Sequence, residues 1–163
     1  MNANTAIAVG PFRFAEYLER SQIVSRTTGT QLDIAEFDRW ASPLPALFQR
    51  TITANLAAAL GSERVLEYPT TMPLTTGYQV SGRVSRFDTD NAGRAVLVVQ
   101  WGIRDGNGNI RRPAGRSSYS SSASGPGYEP RVIAQSNAVA EFSRDIANAI
   151  IELQDAGATP SSP

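Results

Sequence analysis

The sequence predicts an α/β domain of the α+β type, in which a mixed β-sheet with hairpins is covered by two main amphipathic helices. Two observations carry this prediction. The elements follow the order strands, helix, strands, helix, and short glycine-containing turns join several neighbouring strands. The chain has 163 residues, 41% of them hydrophobic, which suits one domain with its own core.

Short apolar or alternating runs predict the strands of the first half. Residues 5–9 form the first, and Gly10-Pro11 is expected to end it. Residues 22–26 and 31–37 form two more, and Gly29 between them suits a hairpin turn because glycine readily adopts a positive φ.

Two segments carry the 3.6-residue apolar spacing of helices. The first, over 43–60, begins after Ser42, which can cap free N–H groups, and ends before Gly61. The second shows one apolar face from Val132 to Leu153. We expect the domain to span 1–156 and residues 157–163 to form a disordered tail.

Three longer strands are predicted between the helices. Residues 78–85 alternate between apolar and polar side chains, whereas 95–103 are apolar on both faces and indicate a central strand. Trp101 is expected to pack in the core. Residues 110–121 are rich in arginine and serine, which predicts an edge strand.

Composition excludes several function classes. The chain has no cysteine and no histidine, and all 15 basic residues are arginine. Triads with histidine, thiolate metal sites and Schiff-base lysines are therefore impossible within this chain. We predict no catalytic residues, no metal and no cofactor. The formal net charge of +0 also argues against nucleic acid as a partner.

Two clusters leave alternatives open. Glu36 and Asp38 lie two positions apart on a strand and so share one face, as a carboxylate-dependent glycan hydrolase would require. Surface charge is the simpler interpretation. Arg111, Arg112 and Arg116 are interpreted as a solvated strand edge, with phosphate or anionic-lipid contact as the alternative. A third hypothesis, a small lipid carrier, needs an apolar pocket.

No apolar run reaches the roughly 18 residues that a membrane helix needs. The start, Met1 to Thr5, lacks the basic and apolar regions of a signal peptide. The chain is therefore expected to be cytosolic or to be a mature domain cut from a longer precursor.

Several segments together resemble one family. They are VGP at 9–11, EYLERSQIVSR at 16–26, EFDRWASPL at 36–44, the Arg86-Phe87 pair, the Trp101 hairpin, and the last helix after Tyr128. The pattern, spread over residues 7–153, is similar to that of the ABC-type transport auxiliary lipoproteins, the PqiC-like family.

This resemblance implies a periplasmic, non-enzymatic domain that is held at the outer membrane by a lipid anchor in its precursor. It implies docking to an MCE-domain transport protein in envelope lipid transport. Lipid and a second copy of the chain are further candidate partners. We expect Trp40, Phe12 and Phe14 to be exposed side chains that contact the partner.

Overall fold

A computed structural model describes residues 5–16, 22–28, 31–39, 44–71 and 77–158. The elements are β1 (Ile7–Phe14), β2 (Gln22–Thr28), β3 (Gln31–Arg39), α1 (Leu44–Leu60), β4 (Val65–Glu67), β5 (Tyr78–Thr89), β6 (Arg94–Asp105), β7 (Ile110–Ser122) and α2 (Tyr128–Ala158). The side chains of β2 and β3 lie outside the description.

The described strands form one seven-stranded mixed sheet. Its largest part is an antiparallel meander of β5, β6 and β7. Strand β1 runs parallel to β5 on one side and to β4 on the other. The hairpin of β2 and β3 joins β5 through the pair Ser25 and Thr89. The α+β class predicted from the sequence is confirmed.

Strand β1 differs from the prediction, because Gly10-Pro11 does not end it. Gly10 has a φ of 118° and precedes a cis peptide bond. The register with β5 shifts between Val9 and Phe12, and pairing then continues to Phe14. Side chains hold the carbonyls of the irregularity, since Gln49 Nε2 donates to Val9 O at 2.7 Å and Gln79 Nε2 donates to Gly10 O at 2.9 Å. The glycine–proline signal therefore marks a bulge within a strand.

Both helices pack on the same face of the sheet. Helix α1 buries Leu44, Phe48, Ile52 and Leu56, the stripe that its spacing predicted. It ends before Gly61, whose φ of 58° fits the glycine predicted at this end. Helix α2 continues to Ala158, two residues into the predicted tail, and residues 159–163 lie outside the described ranges.

An aromatic cluster fills the space between helices and sheet. Phe142 of α2 is fully buried at its centre, with ring centroids 5.4 Å from Trp101, 5.6 Å from Tyr119 and 5.9 Å from Phe12. Trp101 is 2% exposed, which confirms its predicted place in the core.

Candidate functional site

The structure places the aromatic residues predicted to contact a partner differently from the expectation. Phe12 is 7% exposed and packs edge-to-face on Phe48 at 5.4 Å. Phe14 is half-buried and lies 5.2 Å from the same ring. The two phenylalanines are alternate residues of β1, so both point to the helix-covered face. The expected exposure of Phe12 is wrong, and Trp40 lies outside the described residues.

For Glu36 and Asp38, the two carboxylates of the hydrolase hypothesis, the structure describes the backbone and not the side chains. Glu36 and Asp38 lie on β3 at alternate positions, as predicted, and β3 pairs with β2. Three other carboxylates have partners close by. Asp88 pairs with Arg86 at 2.9 Å, Asp145 accepts a hydrogen bond from Tyr119 at 2.6 Å, and Asp105 accepts one from the Asn109 backbone at 3.0 Å.

The opposite face of the sheet carries a line of polar side chains, here called the arginine row: Arg13, Arg83, Gln100 and Arg116. Each is the cross-strand partner of the next, so the row crosses β1, β5, β6 and β7. All four side chains are exposed. Cross-strand partners share one face, and their sequence neighbours Val84 and Trp101 point into the core.

The arginine row concentrates positive charge. Arg13 and Arg83 lie directly opposite one another, and like charges in that arrangement destabilise a sheet. Within the described ranges, no ion pair or hydrogen bond joins any arginine of the row to a carboxylate. Strands β5, β6 and β7 together contain seven arginines and two carboxylates, whereas α2 contains five carboxylates and two arginines. These three strands therefore carry an excess of positive charge, and α2 carries an excess of negative charge.

Two shallow depressions lie beside the row. One of about 430 Å³ is lined by Arg83, Ser85, Gln100 and Arg116. The other, of about 260 Å³, includes Ser81, Gly102 and Ala114, with Arg104 and Ile110 at its margin. Small residues form the depression because the strands approach closely there: a Cβ on Gly102 would lie 2.8 Å from the carbonyl oxygen of Arg112.

The arginine cluster singled out in the sequence has two separate roles. Arg112 stacks on Trp101, with Cζ 3.6 Å from a ring centroid, and donates a hydrogen bond to Trp101 O at 2.9 Å. Arg111 approaches Asp105 at 3.9 Å. Arg116 alone joins the arginine row. The first two arginines thus support the β6–β7 hairpin, and only Arg116 remains open to a ligand.

Asp105 organises the turn of that hairpin. Its Oδ1 accepts hydrogen bonds from the backbone N–H groups of Asn107 and Asn109, both at 3.0 Å. Desolvation acts to raise the pKa of Asp105, but the bonds from Asn109 and Asn107 and the charge of Arg111 outweigh it and lower the pKa. Residues 105–109 form a plain hairpin turn between β6 and β7.

On the helix side, Tyr119 connects the sheet to α2 through its bond to Asp145. Burial raises the pKa of Tyr119, and the hydrogen bond to Asp145 acts in the same direction. The phenol therefore stays protonated and donates at any physiological pH. The contact fixes α2 against β7.

Removing this phenol tests the contact. Tyr119→Phe is expected to lower the free energy of unfolding by about 1–2 kcal/mol, because a carboxylate loses a charge-assisted hydrogen bond. Urea denaturation measures the change. Tyr68→Phe is the control, since Tyr68 is exposed, and an equal loss in both variants would contradict the role given to Tyr119.

An apolar cleft between the two helices is lined by residues that include Leu44, Phe48, Val132 and Gln135, and it has a volume of about 40 Å³. That is room for one or two water molecules. An acyl chain does not fit there, so this cleft does not support a lipid carrier.

Sequence reasoning missed the arginine row. Arg13, Arg83 and Arg116 lie far apart in the chain, and only the strand register brings them into one line. The available signal was an arginine in each of two predicted strands, Arg83 in 78–85 and Arg116 in 110–121, whereas Arg13 lay beyond the predicted end of the first strand. It could not be used without the order of the strands.

The ranges that the structure describes contain no helix long and apolar enough to cross a membrane. They also contain no group of three or more histidine, cysteine, aspartate or glutamate residues placed to hold a metal ion.

The fold and the charged face define a two-helix α+β domain that presents an open sheet surface. A family model for the ABC-type transport auxiliary lipoprotein component matches residues 1–147. The chain belongs to this family, as the resemblance indicated. A lipoprotein family of this kind implies a location in the cell envelope and association with a transport system.

Solved structures share the fold. One crystal structure of an uncharacterised protein is 24% identical, with a TM-score of 0.79, covering 90% of this chain and 92% of that one. A Xanthomonas campestris protein of the DUF330 family is 15% identical, with a TM-score of 0.75 and coverage of 94% and 88%.

A dodecameric protein is also similar. The PelC dodecamer from Paraburkholderia phytofirmans is 15% identical, with a TM-score of 0.51, and the match covers 91% of each chain. A comparison with curated protein sequences gave no significant match.

Proposed function

We propose that this protein is a non-enzymatic periplasmic accessory subunit of an MCE/ABC-type envelope lipid transport system. It acts by docking to an MCE-domain transport partner at the outer membrane, where a lipid anchor of its precursor holds it. The single observation that carries the proposal is the family match over residues 1–147.

The geometry supports docking as the mode of action. In the described sheet β7 pairs only with β6, so its outer edge is available for a partner strand or a second copy of the chain. The PelC neighbour is a dodecamer, which supports a homo-oligomer as one assembly. Phe14 and Trp40 remain proposed contact residues, whereas Phe12 is buried and packs on Phe48.

The side-chain inventory supports a role without catalysis. The chain has no histidine, cysteine or lysine, and Asp88, Asp105 and Asp145 are engaged in contacts that stabilise the fold. The hydrolase alternative rests on Glu36 and Asp38 alone. Neutralising both with Glu36→Gln and Asp38→Asn separates the hypotheses, because hydrolysis of envelope glycans would disappear while binding to a transport partner would persist.

The docking proposal is tested by affinity purification from detergent-solubilised envelopes. A tagged copy of the protein, expressed from its native precursor, is expected to retain an MCE-domain protein and to sediment with the outer membrane. Membrane anchoring keeps both proteins at high local concentration, so chemical crosslinking before solubilisation should raise the yield of the complex. Recovery in the cytosol, with no transport component bound, would contradict the proposal.

A further inference from the structure

We propose that the arginine row binds the phosphate of anionic phospholipid headgroups. This inference deepens the proposed function and rests on it for the source of the ligand. It assigns a lipid contact to the open face of the sheet, on the opposite side from the helix-covered core.

The spacing of the row suits a phosphate. Neighbouring strands lie about 4.8 Å apart, so Arg83 and Arg116 flank Gln100 at a separation of about 10 Å across β6. Both guanidinium groups can turn toward one anion above Gln100, whose amide supplies a further N–H donor. Guanidinium forks bind phosphate oxygens through paired hydrogen bonds.

The positive charges of the arginine row favour binding of an anion. The cross-strand pair of Arg13 and Arg83 repels in the free protein. The ion pairs of Asp88, Asp90 and Asp105 are with Arg86, Arg94 and Arg111. A bound phosphate would replace this repulsion with attraction for both side chains. We interpret the row as a binding surface in which repulsion between arginines lowers the stability of the free protein.

The shape of the surface favours a lipid over a small free anion. The row crosses four strands, about 14 Å, in one open line, which suits neighbouring headgroups of a membrane surface. Ile110, 62% exposed, lines the adjoining depression next to Arg104. An exposed apolar side chain beside arginines matches an amphipathic ligand, since it can contact the glycerol and upper acyl region.

Vesicle co-sedimentation of the purified chain tests the assignment without any transport partner. The protein is expected to bind vesicles that contain phosphatidylglycerol and to leave vesicles of phosphatidylcholine alone unbound. Binding should weaken steeply as salt is raised, because exposed charges are screened. Since no partner is present, failure here would leave the co-purification result of the proposed function unaffected.

A matched pair of double variants locates the binding surface. Arg83→Gln with Arg116→Gln is expected to lower vesicle partitioning by about thirtyfold. Arg50→Gln with Arg144→Gln removes the same charge from exposed positions on the helix side and is expected to retain binding. The first variant is also expected to melt at the same or a higher temperature, because it relieves the repulsion between Arg13 and Arg83.

Three outcomes would overturn the inference. Equal losses in the two double variants would mean that net charge alone drives binding. Equal binding to phosphatidylcholine vesicles would exclude headgroup charge as the determinant. Stabilisation of the protein by inorganic phosphate through Arg83 and Arg116, without any vesicle binding, would assign the row to a soluble phosphate compound and not to a lipid.

Discussion

Phe142→Ala is expected to lower the free energy of unfolding by about 3–5 kcal/mol. Phe142 is fully buried, and its ring joins α2 to Trp101 and Tyr119 of the sheet and to Phe48 of α1. Alanine leaves a cavity at the point where α1, α2 and the sheet meet, because helices and strands cannot collapse into it together. The midpoint of urea denaturation, with the m-value unchanged, measures the effect.

Ile133→Ala provides the matched control for this prediction. Ile133 lies on the same helix but is 51% exposed, so its removal is expected to change stability by less than about 0.5 kcal/mol. If Phe142→Ala proved as mild as Ile133→Ala, the aromatic cluster could not be what holds α2 on the sheet.

Gly82→Ala is expected to destabilise the protein by about 1–3 kcal/mol, as overpacking in a tight core usually does. Gly82 is the cross-strand partner of Trp101. A Cβ at this position would lie 3.0 Å from the Cβ of Trp101 and would collide with the backbone carbonyl of Gln100. Because that obstacle is backbone, β5 and β6 must separate to admit the methyl group. Thermal denaturation followed by circular dichroism measures the loss.

Gly115→Ala is the control on the other side of the same tryptophan. Gly115 is the partner of Trp101 on β7, but the nearest atom to its added Cβ is Arg112 Nη1 at 4.0 Å. This variant is expected to keep or slightly raise stability, since the unfolded chain loses freedom. Equal destabilisation by both alanines would show that glycine is needed at these positions for a reason other than space.

Periodicity was sufficient to predict the helices and the meander. The spacing of Leu44, Phe48, Ile52 and Leu56 placed the stripe of α1 correctly, because one buried face dictates a 3.6-residue period. The continuation of β1 beyond Gly10 was not predictable, since it depends on Gln49 and Gln79 holding the carbonyls of the bulge. The first contact joins residues that are 40 positions apart in sequence, and the second joins residues that are 69 positions apart.

The candidate site was less predictable than the fold, because it is built by strand order. A lone exposed arginine such as Arg83 or Arg13 carries no signal by itself. The parallel pairing of β1 with β5 brings the two together, and parallel partners distant in sequence follow no local pattern. Conversely, the sequence cluster of Arg111, Arg112 and Arg116 proved to combine two structural side chains with one member of the row.

If this domain works by contact with a transport partner, site-specific photocrosslinking in intact cells should capture that partner. A photoreactive residue in place of Glu16, which is exposed just beyond Phe14, is expected to form an adduct with an MCE-domain protein. The same residue in place of Glu152, exposed near the end of α2, serves as the comparison. We expect a strong adduct at position 16 and a weaker one at position 152, and the absence of any MCE-domain adduct at either position would show that the domain does not dock to such a partner.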